Sequence, residues 1–347
     1  MRDSGMRDSP EFNLIAAIRE RLEARGAAAI ASDEGRVRLG PGDDAAITLP
    51  GGTTATSVDA VVDGVHFRSE WCPPMSVGRK AMAAALSDLA AMGAGPGEAY
   101  VWLGRPAWLD DEGVLELCDG LAVAAARENV LIAGGDLTAA GELAVSVTAV
   151  GHADAPADLV RRAGAQPGDV LCVSGPLGGA AAGLMVLEHP ELAERISAEA
   201  DVAVSRRQLD PRPRLAEGRI LARSGAHAMI DVSDGLGADS EQLAAASGLG
   251  IEIELAQVPV ADGVAEVAAA AGRDPYELLT GGEDYELLVA LPRSAVEGAA
   301  AGLAEAGMNL AEIGRFSSGR GVRLRLPGGR SLPSGGYDQL ATRARGR

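Results

Sequence analysis

The 347-residue chain is 47% hydrophobic and 23% charged, a composition that builds a packed core and excludes disorder as the main state. Its 31 Lys and Arg against 49 Asp and Glu leave a net charge of -18, which repels a phosphate backbone and excludes a basic nucleic-acid-binding stripe. Lys80 is the sole lysine, and its VGRKAM setting fits neither a Walker A loop, nor a protein-kinase strand lysine, nor a Schiff-base lysine.

The three cysteines, Cys72, Cys118 and Cys172, are isolated in sequence, which excludes a Cys-x-x-Cys knuckle and a disulfide framework and fits a reducing, cytoplasmic setting. No apolar run reaches the roughly 18 residues of a membrane span. The first ten residues, MRDSGMRDSP, are polar and partly duplicated, and read as a disordered tail.

In chain order, Leu14, Ile15, Ile18 and Leu22 recur at helical spacing up to Gly26. Strands follow at 46–49 and 54–62, then a helix from Ser76, read as its cap, to Gly93. Next come a strand at 98–104, a helix at 110–128 and strands at 130–133 and 142–150. The stretch HADAPADLVRRAGAQPGD at 152–169 has the Pro, Gly and charge content of a boundary. Beyond it, strands near 169–174, 227–232, 250–255 and 284–290 alternate with Ala-rich helices. The pattern predicts an α/β protein of the α+β type with two domains, each a mixed or antiparallel sheet packed against helices. The expected layout is a tail at 1–10, an N-terminal domain at 11–155, a C-terminal domain at 156–340 and a tail at 341–347.

Four places join a strand-like run to Gly and Asp: GPGDDAAITL at 40–49, LIAGGDLT at 131–138, MIDVSDGLGAD at 229–239 and LLTGGEDYELL at 278–288. Glycine permits close backbone approach, and aspartate there can bind a hard cation, although Gly-Asp is also ordinary turn chemistry. Turn chemistry does not explain two further aspartates. Period-2 alternation places Ser57, Asp59 and Val61 on one strand face. Asp88 lies mid-helix with Ala85, Ala84 and Ala81 on its face, where a backbone or bulky ligand can approach; the alternative is an exposed residue on an Ala-rich helix.

If Asp43, Asp59, Asp88, Asp136, Asp231 and Asp234 converge, they repel strongly: two carboxylates about 4 Å apart cost about 4 kcal/mol at an effective dielectric near 20. Several Mg2+ ions would cancel that repulsion and clamp a polyphosphate in place of lysine.

These residues, with VDGVHF at 62–67, SDLAAMGA at 87–94, RAGAQPGD at 162–169, IDVSDGL at 230–236, GGEDYELL at 281–288 and GYD at 336–338, resemble the thiamine-monophosphate kinase family from about residue 11 to 340. That family lies in the superfamily of aminoimidazole-ribonucleotide synthetase and selenophosphate synthetase. The resemblance implies ATP- and Mg2+-dependent phosphorylation of thiamine monophosphate to thiamine diphosphate. It also implies a homodimer that pairs its N-terminal domains, and a cleft that the C-terminal domain completes. Carried over by motif, Asp43, Ser57, Asp59, Asp88, Asp136, Asp231 and Asp234 hold metal, and Gly135, Asp136, Arg162 and Ser233 lie near ATP, Arg162 as a phosphate fork. His66, Glu283 and Tyr337 contact thiamine monophosphate, Glu283 by pairing with its positive charge or amine. The acceptor phosphate is already anionic, so no covalent nucleophile is expected. The sequence departs from the family at Val58, where a small hydroxyl residue is usual, and at Gln339-Leu340, which replace His-Phe.

Three rivals remain. An aminoimidazole-ribonucleotide-synthetase-like ATP-dependent ligase is disfavoured by GGEDYELL and GGD, and a non-catalytic Mg-nucleotide binding protein differs only in forming no ADP. SGPLGGAAAG at 174–183 follows a strand as a dinucleotide-binding loop does, but lacks Gly-x-Gly-x-x-Gly.

Overall fold

The computed structural model describes residues 10–28, 35–41, 45–49 and 51–333. The chain divides into two compact units, one of residues 1–89 and 95–154, the other of 90–94 and 155–347.

The first unit opens with α1 (Pro10–Ala24), β1 (Val37–Leu39), β2 (Ile47–Thr48) and β3 (Thr53–Val62). Then follow α2 (Pro74–Ala91), β4 (Gly95–Arg105), α3 (Asp111–Arg127), β5 (Leu131–Ala139) and β6 (Ala144–Ala153). Helix α2 starts two residues before Ser76, so Ser76 lies in its first turn instead of capping it. Its far end meets Gly93 at φ 67, a left-handed conformation that glycine adopts without strain.

The four strands pair in the order β3-β6-β4-β5, antiparallel except for β4 with β5. Alternation sends Ala55, Val61, Leu103, Val145, Val147 and Ala149 to one buried face, while Val58 and Trp102 stand exposed on the other. Helices α2 and α3 approach through a reciprocal pair of glycines. A Cβ on Gly78 would overlap Leu117 O, and one on Gly120 would overlap Met75 O. Asp119 of α3 accepts from Arg21 of α1 and from Arg25 just past its end, fastening the first helix to the third.

The second unit contains β7 (Val170–Val173), α4 (Gly179–Glu188), α5 (Ala198–Leu209), α6 (Leu215–Arg223), β8 (Ala228–Asp231) and α7 (Leu236–Ser247). It continues with β9 (Gly250–Glu254), α8 (Val264–Ala271), α9 (Pro275–Leu278) and β10 (Leu287–Leu291). It closes with α10 (Val296–Glu305), β11 (Ala311–Ser317), β12 (Gly321–Arg325) and β13 (Ser331–Leu332). Its seven-stranded sheet runs β13-β12-β9-β11-β7-β10-β8 and is mixed, β12 being parallel to β9.

Leu171, Val173, Ile230, Leu243, Ile251, Ile253, Leu288 and Phe316 form one core on this sheet. A second cluster joins Ala182, Val186, Val204, Val264 and Val267 of α4, α5 and α8. Both units are sheets packed against helices, as the patterning predicts. Among the differences, residues 284–286 are not strand, β5 runs on to Ala139, and β1 and β11 to β13 are strands that the pattern did not predict.

Candidate active site

In the first unit, β3 brings Ser57 and Asp59 to the inner face of the sheet, where the Ser57 hydroxyl donates to Asp88 Oδ2 on α2. Asp88 is half-buried, so the reading of it as a solvated residue on an Ala-rich helix does not hold. Asp59 accepts from the Ala60 amide at 2.6 Å through Oδ1.

Asp136 lies on the other face. Register aligns Asp59 with Val147, Val101 and Gly135, whereas Asp136 aligns with Trp102, Ser146 and Ala60. Asp136 is exposed and accepts from Thr138 Oγ1 at 2.8 Å. Gly135 must be glycine, because a Cβ would overlap Val101 O of the adjoining strand. The turn after β3 places half-buried His66 with Nδ1 accepting from the Val62 amide at 3.1 Å, which leaves the proton of a neutral ring on Nε2. Asp43 and Tyr337 lie outside the described residues.

In the second unit, Asp231 ends β8 and is 3% exposed. The loop after it wraps around Asp239 in the first turn of α7. Asp239 Oδ2 accepts from the amides of Ser233, Asp234 and Gly235 at 3.0, 3.0 and 2.9 Å. Burial above all, then the charges of Asp231 and Asp234, push the Asp239 carboxyl up to about 7, although two of those amides pull the other way.

This loop is interlocked with 280–285. The Glu283 amide donates to Ser233 O at 2.9 Å and the Tyr285 amide to Val232 O at 2.9 Å. A Cβ on Gly235 would overlap Thr280 O, and one on Gly282 would overlap Ser233 O. Glu283 adopts φ 69 and Tyr285 φ 51, left-handed conformations that cost non-glycine residues energy and cluster at functional sites. Arg162 is exposed; its carbonyl oxygen accepts from Ser247 Oγ at 3.4 Å, and the Met229 amide of β8 donates to the neighbouring Arg161 O at 3.1 Å.

The glycine-rich turn between β7 and α4 is already filled by an anion of the chain itself. Asp284 accepts from the Gly178 and Ala180 amides at 2.6 and 3.0 Å, occupying the helix N-terminus that a dinucleotide's phosphates would use. Glu286, fully buried, is held by Arg207 and Arg214 and accepts from Ser174 Oγ at 2.7 Å. The dinucleotide-loop reading therefore falls.

Among the described residues, no three His, Cys, Asp or Glu side chains come together as a ready metal cage. Each unit offers hard oxygens in a smaller set: Ser57 with Asp88 in the first, and in the second Asp231 with Asp234, close enough to act on Asp239. That donor chemistry fits Mg2+, which takes oxygen ligands, keeps several waters and is completed by phosphate oxygens.

Residues 42–153 match the family AIR synthase related protein, N-terminal domain, and residues 166–327 match its C-terminal domain. A thiamine-monophosphate kinase of Mycobacterium tuberculosis (strain CDC 1551 / Oshkosh) is 41% identical over 255 residues, covering 73% of this chain and 74% of that protein. The chain belongs to the thiamine-monophosphate kinase family.

Among solved structures, the thiamine-monophosphate kinase of Stenotrophomonas maltophilia K279a superposes with a TM-score of 0.80 at 32% identity, covering 91% of this chain and 97% of that one. A relative solved in complex with AMPPCP and TMP superposes with a TM-score of 0.71 at 28% identity, covering 95% and 99%.

Within this thiamine-monophosphate kinase family member, sequence reasoning missed three carboxylates. Asp239, Asp284 and Glu286 are internal fasteners of the loops that carry Asp231, Ser233, Asp234 and Glu283. Only Glu286 borders an apolar run, LLVAL, where burial tolerates an acid only with partners; Asp239 and Asp284 sit among polar and acidic neighbours that give no such signal. The departure at Val58 falls on the exposed face it shares with Asp136, two residues along the strand from Ala60.

Proposed function

We propose that this chain transfers the γ-phosphoryl group of ATP to the phosphate of thiamine monophosphate, giving thiamine diphosphate and ADP. The observation that carries this reading is the end-to-end likeness to the relative solved with AMPPCP and TMP. An oxygen of the acceptor phosphate forms the new P–O bond as the bond to ADP breaks. The acceptor is already anionic, so the protein need supply no covalent nucleophile, and its task is positioning and charge neutralisation.

Asp59, Asp88 with Ser57, Asp231 and Asp234 would hold Mg2+; Asp43 and Asp136 join them by motif alone, Asp136 standing on the opposite face of the first sheet from Asp59. Bound Mg2+ supplies positive charge opposite the phosphoryl oxygens in a chain of net charge -18. Arg162 would grip a phosphate with its planar fork, and Gly135 and Ser233 would lie beside ATP. His66 would present its Nε2 proton, and Glu283 a carboxylate, to thiamine monophosphate, with Tyr337 contributing by motif. The interlocking of 231–236 with 280–285 supports this division, since it ties metal and substrate carriers into one rigid piece of backbone.

The same reading includes a homodimer through the outer face of the first sheet, where Val58 is 67% and Trp102 38% exposed. Three buried cysteines that form no disulfide with one another support a reducing, cytoplasmic location. A coupled ADP-release assay comparing thiamine, thiamine monophosphate and an aminoimidazole precursor, with and without a chelator, tests it. Mg-dependent ADP release with thiamine monophosphate is the expected result. Release only with the aminoimidazole precursor would convert the reading to a ligase, and no release with any acceptor would leave a nucleotide-binding protein.

A further inference from the structure

Gln208, next to the last residue of α5, is 2% exposed. Its Nε2 donates to Glu283 Oε2 at 2.8 Å, while its Oε1 is buried and meets no donor among the described residues. The amide cannot be turned over, because its carbonyl would then face a carboxylate, acceptor against acceptor. A leucine would fill similar space without an orphaned acceptor, so packing alone does not account for a glutamine here.

The surroundings hold this side chain firmly. Gly183 of α4 lets α5 approach so closely that a Cβ there would overlap Val204 O and crowd Gln208 Cβ. The preceding residue, Arg207, donates to Glu286 Oε1 at 3.1 Å. The last turn of α5 thus grips Glu283 and Glu286, the two ends of the segment in which Glu283 and Tyr285 adopt positive φ. A strained backbone of this kind persists where its neighbours over-determine it.

We infer that Gln208 is a positioning residue for thiamine monophosphate: it holds the Glu283 carboxylate in one orientation before substrate arrives, so that little side-chain freedom is lost on binding. The inference rests on the reading of Glu283 as a substrate contact. Gln208 acts through Glu283 and not on the phosphates, which predicts a selective effect on one of the two substrates.

Steady-state kinetics of the full chain test it with Gln208→Leu, Glu283→Ala and the double variant, with Gln208→Met as a second apolar replacement should the first fold poorly. Gln208→Leu is expected to raise KM for thiamine monophosphate about 10-fold, the scale of a lost hydrogen bond to a charged group, while kcat and KM for ATP stay within about twofold. Melting temperature should hold or rise, because the orphaned acceptor is gone. In the Glu283→Ala background the change should have no further effect, and Gln208→His, whose ring N–H can donate, should restore most of the affinity. An unchanged KM in Gln208→Leu beside a raised KM in Glu283→Ala would overturn the positioning role and leave the Glu283 reading standing. An unchanged KM in Glu283→Ala would overturn both. Parallel losses for both substrates with a lowered melting temperature would reduce Gln208 to packing and overturn the inference.

Discussion

Ser57 on edge strand β3 donates its hydroxyl to the Asp88 carboxylate on α2, so a sheet residue and a helix residue present their oxygens together. Asp88→Asn keeps the shape of that contact and removes the charge. It should lower turnover about 100-fold or more while leaving the melting temperature within a few degrees, as expected for a group that acts on metal and not on the core. Magnesium titrations of the variant check this; near-normal turnover at ordinary Mg2+ would remove Asp88 from the site.

Asp231 is nearly buried and its charge pushes on the Asp239 carboxyl. Asp231→Asn relieves that repulsion, so the fold should be as stable as the parent or slightly more so, yet Mg-dependent ADP release should disappear. Thermal unfolding and the coupled assay, run on one preparation, separate the two effects. A variant that lost stability and activity together would point to a structural role.

Burial pushes the Asp284 carboxyl up to about 6, against the pull of the Gly178 and Ala180 amides that it accepts from. The folded value lies above the unfolded one, so this group's contribution to stability is full below about pH 4 and is lost as pH rises through about 6. Asp284→Asn cannot ionise. The stability difference between parent and variant should therefore shift in favour of the variant by about 2–3 kcal/mol between pH 4 and 7, at about 1.4 kcal/mol per unit. Urea midpoints at several pH values measure it, and a pH-independent difference would refute the assignment.

Gly120 lets α3 sit directly against the Met75 carbonyl. The obstacle there is backbone, which cannot swing aside. Gly120→Ala should destabilise by about 1–3 kcal/mol through overpacking, more than the gain in helix propensity of about 1 kcal/mol can offset. Chemical denaturation gives the number, and a stabilised variant would mean that α2 and α3 are further apart.

Trp102→Glu places a charge on the exposed outer face of the first sheet, where Val58 also stands. Sedimentation velocity should show a dimer for the parent and a monomer for the variant, since a buried unpaired charge is costly at an interface. A parent that sediments as a monomer would end the dimer proposal.

Much of the site was legible where a single element carries the signal. Period-2 alternation on β3 put Ser57 and Asp59 on one face, and the alanines around Asp88 marked a side of α2 open to approach; both hold in the structure. Asp136 was different. The pairing of β5 with β4 slips between Ala99 and Tyr100, and a one-residue slip exchanges the two faces of a strand, so local alternation could not say where Asp136 points. Strand β11 escaped notice because Gly314 and Arg315 interrupt its apolar pattern, although Gly314 is required where a Cβ would overlap Glu252 O.

The sequence by itself pointed to the chemistry proposed: in a chain with one lysine and an excess of carboxylates, phosphate is expected to be handled through oxygen ligands and cations, and the motif spacing marks the loops expected to do so. Only the tertiary structure decided which acids serve the fold and which are left for ligands. Asp284 and Glu286 read in sequence as neighbours of Glu283 with the same chemistry, yet their partners are amides, guanidinium groups and a serine hydroxyl 72 to 112 residues away. Burial and long-range hydrogen bonding set a carboxylate's role, and neither leaves a mark in local spacing.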